Sequence, residues 1–169
     1  MIITDIKELR QPIDEVDFNE GMEIVVKLKK ELLKEPHGIG LAAPQIGIKK
    51  KVAIIRFGEY EIDLINPVIV DKGQPLVVKS EACLSLPGLS VDTQRYKEVF
   101  VKDLQKPDGF VSIGNIAIAL QHEIDHLEGI LIIDRATGKD KIKRNDPCPC
   151  GSNINGKSIK FKKCHGRIY

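Results

Sequence analysis

An α+β fold is what this sequence predicts. Two observations carry the expectation. An amphipathic helix pattern stands near each end of the first 138 residues, and between them short β-rich runs are separated by turn residues, not by helices. That arrangement argues against a parallel βαβ series.

The first pattern lies between Asn19 and Glu35, where Ile24, Val25, Leu28 and Leu32 share one helical face. Pro36 ends it, and Gly38 and Gly40 open a loop. Strands are expected at Lys51–Phe57, Ile62–Ile65, Val68–Val70 and Leu76–Ser80, with Asn66-Pro67 and Lys72-Gly73 as breaks. Tyr96–Asp103 and Phe110–Ile113 read as a hairpin around Pro107-Asp108-Gly109. A second helix spans about Asn115 to Glu128, with Gly129 as its stop, and Ile130–Ile133 reads as a last strand. After Gly138 the composition changes. Residues 139–146 form a polar linker, and from Pro147 onward Cys, Gly, Lys and Ser dominate.

With 169 residues, 42% hydrophobic and 30% charged, the chain has the makings of one globular domain and a short appendage. No apolar run approaches the roughly 18 residues of a membrane span. Met1 to Arg10 lacks the layout of a signal peptide, so the expected location is the cytoplasm. Charge is divided unevenly. Residues 139–169 carry seven Lys and two Arg against two Asp, net +7, which leaves −5 on the preceding part. The four cysteines, Cys83, Cys148, Cys150 and Cys164, read as metal ligands before disulfides in such a compartment.

The chemistry centres on His122-Glu123-Ile124-Asp125-His126 in the second helix. Residues i and i+4 share a face, so both imidazoles can reach one ion, and Glu123 stands where it could accept a proton from an activated water. Ile116, Ile118, Ala119 and Leu120 make the preceding turns apolar. A buried helix presenting two His and a Glu is costly unless those groups are paired or ligate metal. The third ligand separates the classes of site. The longer metalloprotease pattern needs a His where Ile132 stands, and downstream acids are few. Cys83 is the best candidate, although on its own it reads more readily as a small buried core residue.

Three segments together resemble the motifs of peptide deformylases: Gly38-Ile39-Gly40-Leu41-Ala42-Ala43-Pro44-Gln45, Glu81-Ala82-Cys83-Leu84-Ser85, and Gln121 to Gly129. The resemblance covers roughly residues 1–138. It implies mostly antiparallel sheets around the H-E-x-x-H helix, and Cys83, His122 and His126 as ligands of Fe(II), with Zn or Ni as substitutes. It also implies Glu123 as general base and then acid, and the Gln45 amide and the Leu84 N–H as donors to the oxyanion. Formylmethionyl nascent peptides would add as a strand beside Gly40, with Ile39 bordering the methionine pocket. Glu81 and Arg95 would brace the Cys loop. Two departures stand out. Ala82 replaces the family's usual Gly, a strained substitution if φ there is positive, and the Arg usual before His122 is missing.

In the tail, Cys148, Cys150, Cys164 and His165 offer three thiols and an imidazole within 18 residues, the donor set of a closed structural zinc site. The segment resembles the SEC-C motif, with Asn153–Asn155 as an insertion, which implies contact with the ribosome or an export chaperone. Nothing in it suggests sequence-specific nucleic acid binding. The expected division is 1–138 catalytic, 139–146 linker, 147–169 zinc motif. Two rivals remain: another zinc hydrolase built on the same helix, or an inactive adaptor working through the tail.

Overall fold

The computed structural model describes residues 1–138, 142–148 and 153–164. Helix α1 (Ile6–Leu9) is one turn, started by Asp5, whose carboxylate accepts from the N–H groups of Lys7 and Glu8. Helix α2 (Phe18–Leu32) starts at Asp17 in the same way and buries Gly21, Ile24, Val25, Leu28 and Leu32. A Cβ on Gly21 would stand 2.7 Å from the side chain of Ile65, so the missing side chain lets α2 press onto the sheet beneath.

The strands follow as β1 (Gly40–Ala42), β2 (Val52–Phe57), β3 (Tyr60–Ile65), β4 (Val68–Lys72), β5 (Pro75–Ala82), β6 (Ser90–Tyr96), β7 (Glu98–Lys102) and β8 (Phe110–Ile113). They form three antiparallel sheets ordered β1-β2-β3, β4-β7-β8 and β5-β6. Helix α3 (Gly114–Leu127) follows and stops at Gly129, whose φ of 69° is the left-handed conformation that ends helices. In the tail, β9 (Asn153–Ile154) and β10 (Lys157–Ser158) pair as a small hairpin.

Helices plus mostly antiparallel sheets make an α+β fold, as the sequence predicts. Alternation along the first sheet sets the layering. Ile54 and Leu41 face α2, while Ala53, Ile55 and Ala42 face α3, where Ala117, Leu120, Ile124 and Leu127 meet them. The first sheet is therefore held between the two long helices. A third cluster joins Ile6 and Leu9 to Cys83, Leu86, Val91 and Leu131–Ile133. Ile142 and Phe161 pack against it from the tail side.

Four details differ from the sequence reading. Ile130–Ile133 is no strand: Ile132–Asp134 is a 3-10 turn, closed by Asp134 accepting from the Leu131 N–H. Its apolar side chains go into the third cluster instead of into a ladder. The loop at Gly40 is strand β1. Ser90–Tyr96 is an unforeseen strand. Ala82 ends β5 opposite Ser90 and is absent from the positive-φ residues, so the anticipated strain does not arise there. The positive φ falls on Ser80, at 52°.

Candidate active site and metal centre

Helix α3 runs beneath the first sheet and buries its polar motif. Glu123, Asp125 and His126 are all under 7% exposed. Such burial is tolerable only with partners, and they come from the end of β5 and from β6. Cys83 follows β5 and brings its Sγ to 3.2 Å from Nε2 of His126. The Cys83 thiol and one ring nitrogen from each of His122 and His126 lie within 4.8 Å of one another, and the two rings meet edge to face at 5.1 Å. One thiolate and two imidazoles suit Fe(II), Zn or Ni, and the set leaves a side open toward the cleft, as a catalytic centre requires. Nδ1 of His126 is buried without a protein partner.

Behind these donors lies a buried ionic network. Glu81 accepts from Nε and Nη2 of Arg95 at 2.9 and 2.6 Å, from Thr93 Oγ1, and from Nδ1 of His122 at 2.6 Å. Arg95 is 2% exposed and donates its remaining Nη1 to Asp125, which also accepts two bonds from Arg135. Burial alone would push the Glu81 carboxyl up, but the hydrogen bonds from His122 and Arg95 outweigh it and hold it well below the usual range. With Nδ1 of His122 fixed on Glu81, its Nε2 is the nitrogen left for a metal. Burial lowers His122, yet its bonds to Cys83 and Glu81 set it well above an ordinary imidazole. His126 is pushed well down, by burial first and the neighbouring His122 second.

The opposite wall is the segment from Gly40 to Gln45. A Cβ on Gly40 would lie 2.3 Å from Oε1 of Glu123, so the glycine makes room for the carboxylate. Within the chain itself, the close approach at Gly40 is with Glu123. Gln45 is buried, with Oε1 locked by the Ala42 N–H at 2.8 Å; this turns its Nε2 toward Ser85 Oγ at 3.2 Å and Cys83 Sγ at 3.8 Å. Burial pushes the Glu123 carboxyl up to about 7, against the pull of His122, and its Oε2 has no protein partner.

These groups share a cleft of about 620 Å³, lined also by Ile39, Val78, Leu84, Pro87 and Ile118. Gln45, Cys83, Leu84, His122 and Glu123 thus line one cleft, with Glu81 lining it too and bonded to the buried Arg95. Thr93, Asp125, Arg135 and Ser85 were not anticipated. Their signal was weak, since each is a polar residue at a position that only the fold reveals as inward. Cys148 is buried and Cys164 half-buried, while Cys150 and His165 lie outside the described residues.

The family described as polypeptide deformylase matches residues 2–142 of this chain. A peptide deformylase of Syntrophomonas wolfei is 42% identical over 128 residues, covering 74% of this chain and 82% of its own. One of Natranaerobius thermophilus is 45% identical over 124 residues, covering 71% and 80%. Among solved structures, a peptide deformylase from Legionella pneumophila superposes with a TM-score of 0.73 at 28% identity, over 83% of this chain and 88% of that one. One from Synechococcus elongatus in complex with actinonin gives 0.72 at 34% identity, over 83% and 80%. Sequence, fold and the metal-binding geometry agree, and the chain belongs to the polypeptide deformylase family.

Proposed function

We infer that this protein hydrolyses the N-formyl group of formyl-methionine at the start of newly synthesised polypeptides, releasing formate. One observation carries the reading: Cys83, His122 and Glu123 line one cleft, and His126 joins Cys83 and His122 as a cluster of metal donors, in a chain of the deformylase family.

Cys83, His122 and His126 would hold the metal, and Fe(II), replaceable by Zn or Ni, is the ion we propose. When bound, such an ion supplies a Lewis acid that makes water a nucleophile near neutral pH and polarises the formyl oxygen. Glu123 takes the proton of the attacking water at Oε2, the oxygen without a protein partner. As the C–N bond breaks, the same carboxyl returns that proton to the leaving amine. The Gln45 amide and the Leu84 N–H donate to the formyl oxygen as charge develops on it, each worth about 10²–10³ in rate. Ile39 and Gly40 would border the methionine side chain and the peptide backbone. Glu81 and Arg95 keep the His122 ring turned to the metal.

The test compares formyl-Met-Ala-Ser with acetyl-Met-Ala-Ser, using anaerobically prepared protein. Only the formyl peptide should be cleaved. Glu123→Ala should lose at least about 10²-fold in rate while keeping its metal. Near-native activity in that variant would refute the general-base role, and cleavage of both peptides would point to a broader amidase.

We further propose that residues 147–169 form a SEC-C-type zinc motif using Cys148, Cys150, Cys164 and His165, joined by 139–146 to a catalytic body of 1–138. The backbone bonds Cys148 N–H to Ile159 C=O and Phe161 N–H to Asp146 C=O support a folded unit, as does the hairpin at 153–158. Its basic charge favours a ribosomal or export-chaperone partner in the cytoplasm. Among the described residues no helix is long and apolar enough to cross a membrane. A chain truncated after Gly138 should retain short-peptide activity within about twofold, because every proposed catalytic atom is kept. It should lose stability, because Ile142 and Phe161 no longer cover the third cluster. Co-sedimentation with ribosomes should fall in the truncated chain, steeply with salt if RNA is the contact. Equal co-sedimentation of both forms would end the targeting idea.

A further inference from the structure

Strands β5 and β6 lose register at one place. Val78 pairs with Thr93, but the next pair is Glu81 with Val91, so two residues, Lys79 and Ser80, stand opposite the single residue Asp92. This is a one-residue bulge, and its consequence is parity. Before it, Leu76 and Val78 turn partly inward while Val77 and Lys79 are exposed. After it, Glu81 is buried and Ala82 exposed, and Cys83 beyond the strand is buried as well. Without the extra residue the even positions would continue inward. Ser80 and Ala82 would then face the metal donors, and Glu81 and Cys83 would point away.

Among the described residues, one side chain bonds to both residues of the bulge. Asp92 accepts the Ser80 N–H at Oδ1, 3.1 Å, and the Lys79 ammonium at Oδ2, 2.6 Å. Ser80 is held at φ 52°, a conformation an L-residue adopts only when its surroundings impose it. Asp92 is itself anchored from behind, since its carbonyl accepts the Thr137 N–H at 2.7 Å and Thr137 Oγ1 at 3.2 Å. The flanking bonds, Gln94 N–H to Arg135 C=O and the bridge between Thr93 and Ala136, tie the same stretch of β6 to the chain after α3.

We propose that Asp92 is a positioning residue that clamps the Lys79–Ser80 bulge and thereby presents Glu81 and the Cys83 thiolate to the metal donors. The inference rests on Cys83 acting as a ligand, so the experiment examines that first. The full chain is stripped with chelator and titrated with Co(II), following the near-ultraviolet absorption of a thiolate–cobalt bond. The wild type should show the band. Cobalt binding without it would remove Cys83 from the ligand set and this proposal with it.

Given the band, Asp92→Ala should weaken Co(II) affinity by about tenfold or more and diminish the band, as is typical when the support of a ligand is lost. In the reconstituted enzyme kcat should fall more than KM rises. Asp92→Asn keeps an acceptor for the Ser80 N–H and should recover affinity to within about threefold. Ser80→Val, a β-branched residue at positive φ on an exposed position, should reproduce the defect even if Asp92→Ala fails to fold. Native cobalt affinity and band intensity in a folded Asp92→Ala or Ser80→Val protein would overturn the proposal. So would a loss that Asp92→Asn fails to restore.

Discussion

The wall of the cleft that carries Gln45 and the wall that carries Cys83 meet at one site but are held by different physics. The Gln45 wall is apolar behind: Leu41 and Ala43 are fully buried against α2, and one backbone bond from Ala42 aims the amide. The Cys83 wall, although Cys83 itself packs in the third cluster, has a polar layer beside it, with Glu81, Arg95, Asp125 and Arg135 linking β5, β6, α3 and the turn after it. Packing fixes a surface by volume and is forgiving of direction. Bidentate ion pairs fix direction and are unforgiving of loss. A ligand set needs direction, so the charged support lies under the candidate metal donors and the apolar support under the wall that carries Gln45.

The sharpest way to break this contrast is Arg95→Leu. It leaves Glu81 and Asp125 buried without their shared cation and should cost about 3–5 kcal/mol, measured by chemical denaturation. A cost under about 1 kcal/mol would mean that the network contributes little and the wall stands by packing alone.

Gly40→Ala attacks the other wall by volume. The new Cβ would lie 2.3 Å from Oε1 of Glu123 and 2.8 Å from its Cγ, so the carboxylate must shift. Such overpacking should cost about 1–3 kcal/mol, less than Arg95→Leu. The displaced carboxylate should lower kcat/KM on a formyl peptide by about 10²-fold. Native kinetics would show that Glu123 tolerates displacement and that its position is not set by Gly40.

Ala82→Gly should do least. Ala82 is an exposed strand residue with ordinary backbone angles, so glycine relieves no strain and costs only about 0.5–1 kcal/mol in a strand. Activity should stay within about twofold. A gain in both stability and rate would reinstate the strain that the sequence suggested at this position.

What could be read from the sequence was what repeats or punctuates. The α2 stripe, the β7–β8 hairpin with Gly109 at φ 83° and the α3 helix with its Gly129 stop all announce themselves locally. So did the His122, Glu123 and His126 spacing. Strand β6 did not, because its inward residues are Val91, Thr93 and Arg95, and two of the three are polar for the sake of the site. An apolar-period search passes over such a strand. The opposite error occurred at Ile130–Ile133, where β-branched residues suggested a ladder but serve as a plug in the third cluster. The bulge escaped for a third reason. A register shift is a relation between two strands, and neither sequence alone contains it.

Helix α1 is only one turn long, yet Ile6 and Leu9 are fully buried among Leu131, Ile132 and Ile133, and Arg10 pairs with Asp134 more than 120 positions later in the chain. Ile6 and Leu9 likewise stand more than 120 positions from Leu131–Ile133 in the chain. Their binding place is incomplete until the 3-10 turn after α3 has formed. Closure of this cluster is thus a late, non-local step, as with any contact of such sequence separation. Until then Ile6 and Leu9 lack the Leu131–Ile133 part of their cover, beside an Asp5 cap that can already hold them in a turn.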